Sequence, residues 1–188
     1  ARTAWCEAGA DAVFCARLQE ARGRRLLEMG LPREARDAFE EAEDIAAGAG
    51  IQALRVAALC GLAQAQDLLG HPEISLTTLL WAVSVWETER GLPSSPEWRS
   101  MRGAQGRRLF TDLAVLLQDD PAAAFDDVQR YKGRMLLERV EGPLPGGAEA
   151  VWSGPVDLKR LQEEVLHEGE VLLDAYLGPR HSVLFAVD

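Results

Sequence analysis

Apolar side chains recur at the three- and four-residue spacing of one helix face from residue 11 to about residue 140. They are set among Ala, Leu, Glu and Arg, the residues of a strong helix former. Glycine and proline interrupt the pattern at intervals, so helices separated by tight turns are expected. In Met29-Gly30-Leu31-Pro32-Arg33-Glu34-Ala35, Gly30 can cap one helix and Pro32 can sit in the first turn of the next. Leu69-Gly70-His71-Pro72-Glu73-Ile74-Ser75 repeats the phrase, and the helix that it opens is predicted from residue 72 to about residue 90, before Gly91-Leu92-Pro93. A third pair starts with Ser95 as N-cap and Pro96 in the first turn, bends at Asp119-Asp120-Pro121 and runs to about residue 140. Its predicted apolar face is Met101, Leu109, Leu113, Leu116, Leu117, Phe125, Val128 and Leu136.

Residues 141–155, EGPLPGGAEAVWSGP, lack periodicity and have the chemistry of a linker, so the expected organisation is repeats over 1–140, a linker over 141–155 and a separate segment over 156–188. In that last segment Asp157 is a predicted N-cap, Val156 and Leu161 are placed for a hydrophobic staple, and the helix ends near residues 167–169. The runs 171–177 and 182–187 flank Gly178-Pro179-Arg180-His181, which predicts an antiparallel hairpin. A lone hairpin is marginal in water, so it should join a larger sheet or lean on the helices, and an unpaired edge would invite self-association through this terminal hairpin.

A helix, tight turn, helix unit that recurs is the mark of an α-solenoid, since one such pair cannot bury its apolar face alone. The first unit resembles a tetratricopeptide repeat, with Gly23 at a close helix approach, Gly30 ending the first helix, and Ala35, Phe39 and Ala42 as a small-large-small stripe on the second. The second unit offers Ala63, Gly70, Ser75, Leu79 and Ala82 at the equivalent places. The resemblance implies an inner groove lined by Arg17, Glu20, Arg24, Leu27 and Glu28 and then by Ala57, Cys60, Gly61, Gln64 and Asp67. Such a groove, of mixed charge with a small-residue floor, suits an extended peptide or a helix of a protein partner. It lacks the Lys/Asn set with which chaperone-binding relatives hold a carboxylate.

Residues 124–138, AFDDVQRYKGRMLLE, together with Val156-Asp157-Leu158, Leu161-Gln162 and the two strand runs, resemble the junction that opens a CHAT domain, the caspase-like domain associated with tetratricopeptide repeats. The resemblance implies a mainly α chain, a tetratricopeptide-like α-solenoid of antiparallel helix pairs followed by a helix and a short β-hairpin that begins an α/β caspase-like domain. In that family a His and a Cys in later strands and loops form the nucleophilic dyad, so no catalytic residue is expected within these residues, and the reading frame is expected to continue. The chain would then be a protein-interaction scaffold, the recognition and regulatory segment of a CHAT-type cysteine peptidase. The alternative is a self-contained adaptor without associated chemistry.

Charge and composition narrow the partners further. Twenty Lys and Arg against 30 Asp and Glu give a net charge of −10, which repels phosphate backbones, so nucleic acid is not an expected partner. No run approaches the roughly 18 to 20 apolar residues of a membrane span, and no secretion signal opens the chain, so no membrane and a cytoplasmic location are expected. Cys6 and Cys15 would point to opposite faces if one helix carried both, and with Cys60 they are read as three reduced thiols. His71, His167 and His181 read as capping or surface residues, and there is no phosphate-binding glycine loop and no metal spacing, so neither cofactor nor metal is expected. The acidic runs Glu40-Glu41-Ala42-Glu43-Asp44, Asp119-Asp120 and Asp126-Asp127 read as solvated faces and caps. Trp5, Trp81, Trp86, Trp98 and Trp152 read as packing residues, with an exposed anchor in the linker as the alternative for Trp152.

Overall fold

The computed structural model describes residues 11–88, 96–140, 157–178 and 180–188, with the side chains of 96–102, 134 and 137–140 excepted. The predicted linker, the break at Gly91-Leu92-Pro93, the Ser95 cap, Val156, Cys6, Trp5, Trp152 and the side chains of Trp98 and Met101 lie outside the described residues. The chain is mainly helical, its consecutive helices pack in pairs, and a two-stranded antiparallel sheet follows them. It divides into two compact units, Ala1–Leu92 and Pro93–Asp188, so the third helix pair shares a unit with the sheet.

The first unit holds α1 (Ala12–Glu28), α2 (Pro32–Gly48), α3 (Gln52–Leu68) and α4 (Pro72–Thr88), each of 17 residues. Asp11 caps α1 by accepting from the Val13 N–H at 2.9 Å. The three turns share one construction. Gly30, Gly50 and Gly70 have φ of 73, 69 and 79°, and the following N–H of Leu31, Ile51 and His71 returns to the carbonyl of Leu26, Ala46 and Gln66 at 2.9, 2.9 and 3.0 Å. This is the Schellman closure, which needs a left-handed residue and so favours glycine. Prolines open α2 and α4 as expected; no proline marks the turn at Gly50, and the same closure forms without it.

Small residues let these helices approach closely. Ala35, Ala38, Ala42 and Ala46 of α2 are buried, and Phe39 among them is 0% exposed. A Cβ on Gly23 of α1 would lie 2.7 Å from the Phe39 ring, and one on Gly61 of α3 would lie closer still to the same ring edge. The phenyl ring therefore fills the space that two absent side chains leave, on two helices that neighbour each other. Between α3 and α4, Ser75 Oγ donates to the Ala63 carbonyl at 2.8 Å and Thr78 Oγ1 to Gln66 Oε1 at 2.8 Å. Glu43 departs from the expected solvated face: it is buried and accepts from Arg55 Nε at 2.9 Å. The Arg55 guanidinium also stands 5.7 Å from the Trp81 ring, so one cation links α2, α3 and α4. Trp81 is 46% exposed, in contrast to the buried Trp86 and to the packing role expected of both. The thiol expectation changes too. Cys60 is a buried free thiol, but Cys15 is disulfide-bonded. The expectation of reduced thiols assumed a single helix through Cys6 and Cys15, whereas Asp11, with ψ 124°, interrupts any such helix before α1 begins.

The second unit contains α5 (Pro96–Leu116), α6 (Pro121–Val140), α7 (Leu158–Arg160), β1 (Leu172–Leu177) and β2 (Ser182–Val187). Asp120 caps α6 through the Ala123 N–H at 3.1 Å. Leu109, Phe110 and Leu113 of α5 and Phe125, Val128 and Tyr131 of α6 are buried where the two helices pack, with the Phe110 and Tyr131 rings 5.3 Å apart. Leu136 is 62% exposed and leaves the predicted face; Met135, one 100° step earlier, is the side chain that reaches α5, its Cε 3.0 Å from where a Gly103 Cβ would stand. Asp157 caps α7 through the Arg160 N–H at 2.7 Å. The helix predicted to continue to residues 167–169 instead becomes a π-helical turn, Leu161–Val165, with Leu166 extended. Nothing in the structure explains that change of winding.

β1 and β2 pair antiparallel, with Leu172 opposite Val187 and Leu177 opposite Ser182, as the hairpin pattern predicts. The hairpin leans on its own helix pair. Phe185 meets Phe125 edge-on at 5.3 Å, and Tyr176 meets Tyr131 at 5.7 Å. Asp174 accepts from Gln129 and pairs with Lys132, and Arg180 pairs with Asp112. Asp126, expected on a solvated face, accepts from the Leu158 N–H at 2.7 Å. Gly178 lies so close to Thr111 that a side chain there would overlap its hydroxyl.

Burial pushes the Tyr176 hydroxyl far above the ordinary tyrosine value of 10.0, with Tyr131 adding to the shift. The folded state then keeps a proton that the unfolded chain releases near pH 10, so stability is complete below that pH and falls above it. The expected slope is about 1.4 kcal/mol per pH unit for this group. Urea midpoints of the second unit, measured between pH 9 and 11.5, should decline above pH 10 less steeply in Tyr176→Phe than in the parent chain. Equal slopes would refute the assignment.

Candidate functional site

The candidate groove rests on α1 and α3, which lie side by side in the first unit. On α1 the three- and four-residue steps from Arg17 through Glu20 and Arg24 to Leu27 place all four along one side of the helix. Arg17 and Arg24 are exposed and Leu27 is half-buried. Glu20, 8% exposed, accepts from Arg24 Nη2 at 2.7 Å, so Arg24 serves partly as the counter-ion of a buried carboxylate. Glu28 is exposed and accepts from Arg25 at 2.7 Å. Arg17 forms no ion pair or hydrogen bond among the described residues.

On α3, Ala57 and Gln64 are half-buried, Asp67 is exposed, and Cys60 and Gly61 are buried. No hydrogen bond or ion pair among the described residues joins the α1 set to Gln64 or Asp67. The candidate residues thus lie on two neighbouring helices, the α1 set carrying the cation Arg17 and the α3 set mostly small and apolar. Of the residues expected to pack the repeats, Gly23, Ala35, Phe39, Ala42, Ala63, Leu79 and Ala82 are buried, while Gly30 and Gly70 are exposed at their turns.

Cys60 is 2% exposed, whereas His71, His167 and His181 all face solvent. Among the described residues no cluster of three or more His, Cys, Asp or Glu could hold a metal ion, and no helix is long and apolar enough to cross a membrane. An open cleft of about 410 Å³ lies at the end of the second unit, beside His167, Glu168, Glu170 and Asp188. There the Glu170 side chain accepts from the His167 backbone N–H at 3.0 Å, and Gln162 Nε2 donates to the Asp188 carbonyl at 2.8 Å.

Sequence reasoning missed the polar seam that docks the hairpin, since Lys132 and Asp174 are 42 residues apart and neither lies in a recognisable motif. The only available signal was Asp174 itself, a charge within an apolar strand run. No protein-family model, no curated protein and no solved structure matches the chain.

Proposed function

We propose that the chain is a protein-interaction scaffold of tetratricopeptide-like helix pairs, which binds an extended peptide or a helix along the α1/α3 face. The observation that carries the reading is the shared turn closure at Gly30, Gly50 and Gly70 together with the seating of Phe39 against Gly23 and Gly61, which stacks like units side by side. Stacked units leave one helix layer free to meet a ligand. Arg17, exposed and unpaired among the described residues, is the polar anchor of that face, and Leu27, Ala57 and Gln64 supply its contact surface.

The test is to select peptides from a displayed random library against the chain and to measure their affinity by fluorescence anisotropy. Arg17→Ala, which leaves the Glu20–Arg24 pair intact, should weaken binding by about tenfold, the scale of an interfacial arginine. Selected peptides that bind the variant as tightly as the parent chain would remove this groove from consideration.

Within that reading the scaffold is the recognition and regulatory segment of a CHAT-type cysteine peptidase. The bare outer side of the hairpin supports it, because a sheet in an α/β domain carries layers on both faces. The docked inner side favours instead a self-contained adaptor, since Tyr176, Phe185 and Asp174 already fasten the hairpin to α5 and α6. Sequencing the parent gene past the codon for Asp188 separates the two: a frame that supplies a His and a Cys on strand ends supports the peptidase reading, and a stop codon sinks it. A cytoplasmic location belongs to the same proposal. The disulfide at Cys15 is of a kind more frequent in oxidising compartments, so fractionation of tagged protein is the direct check.

A further inference from the structure

We propose that the outer face of the β1–β2 hairpin is a self-association surface, on which a second copy of this chain packs face to face. The inference does not depend on what the α1/α3 face binds, and it accords with the self-contained adaptor, since a continuing α/β domain would cover this face itself.

Strand alternation divides the hairpin cleanly. Tyr176, Phe185 and Val187 turn inward and are buried, while Leu173, Ala175, Leu177, Ser182, Leu184 and Ala186 turn outward and are exposed. A half-covered antiparallel sheet normally shows polar residues to water on its free face. Here that face has a single polar residue, Ser182, and its three leucines are 66, 67 and 67% exposed. Val171, 58% exposed, immediately precedes β1.

Three observations favour a second copy as the occupant. The first is shape: the register sets Leu173 opposite Ala186 and Leu184 opposite Ala175, so every large side chain has a small one beside it. Under a two-fold axis the leucines of one copy can sit over the alanines of the other, as an isologous contact requires. Two such sheets pack at about 10 Å. The second is charge. The chain carries −10, so two copies repel each other in general, but none of the six outward positions is charged. The third is area. The patch offers roughly 500 Å² per copy, near the top of what a monomer usually exposes in one piece, and two copies together cover about 1,000 Å², the lower bound for a specific interface.

Sedimentation equilibrium of the 188-residue chain should show a monomer–dimer equilibrium in the micromolar range. Leu184→Asp should raise the dissociation constant by at least about tenfold, with an unchanged circular dichroism spectrum, because it places two carboxylates in one apolar contact. Leu184→Ser removes the contact without adding charge, and covers the case in which the aspartate variant fails to fold. A chain that stays monomeric at every concentration overturns the proposal. So does a dimer that persists undiminished in the folded variant, since it would have to form through another surface such as the strand edges.

Discussion

Phe39→Ala should destabilise the first unit by about 3–5 kcal/mol, the cost of emptying a fully buried aromatic site. The ring is 0% exposed and touches α1 and α3 where they have no side chain, so no neighbouring group stands ready to fill the space. Gly61→Ala supplies the complementary test. In an otherwise unchanged chain its new methyl group would overlap three ring atoms, and overpacking of that kind costs about 1–3 kcal/mol. Alanine is the better helix former by about 1 kcal/mol, which offsets only part of that cost. In the Phe39→Ala background the overlap is gone, and the same substitution should stabilise by about 1 kcal/mol. Urea unfolding of the four chains would measure this reversal of sign. Additive effects would mean that the ring and the glycines do not share one space.

Tyr176→Ala should release the hairpin from its helices and leave the first unit unaffected. An isolated two-stranded hairpin is marginal, so β1 and β2 depend on what they rest against. Tyr176 is 4% exposed, packs on Tyr131, and donates its hydroxyl to the Arg107 carbonyl at 3.2 Å. Its loss removes about 3–5 kcal/mol of packing from a segment whose other inward anchors are Phe185, Val187 and the Asp174 pair. Amide hydrogen exchange of residues 172–177 and 182–187 should then accelerate by about two orders of magnitude or more, while α1 to α4 keep their protection. Uniform acceleration in both units would show that they unfold as one cooperative body. Unchanged exchange would show that the polar seam holds the hairpin without the ring.

These variants also separate what was legible in the residues from what was not. The turns at Gly30 and Gly70, the caps Asp120 and Asp157 and the antiparallel hairpin could all be read in advance, because each is closed by groups within a few residues of one another. The turn at Gly50 uses the same closure, but without a proline its position had no second mark. The face of α6 was misjudged by one residue, from Met135 to Leu136, because both are apolar and only the place of Gly103 on the facing helix distinguishes them. Glu43 and Asp126 looked like solvent-facing members of acidic runs until Arg55 and the Leu158 amide were brought to them.

The candidate groove residues could be named only as a set of helix positions; that Glu20 is buried and holds Arg24, leaving Arg17 as the freer cation, required the packed α1/α3 layer. Periodicity and turn chemistry, which act over a turn or two of chain, specify the helix pairs, their glycine turns and a terminal hairpin. Tertiary structure alone decided which charges are buried, how Lys132 and Asp174 meet, and which side of the hairpin is left bare, because each depends on surfaces that lie far apart until the chain has packed.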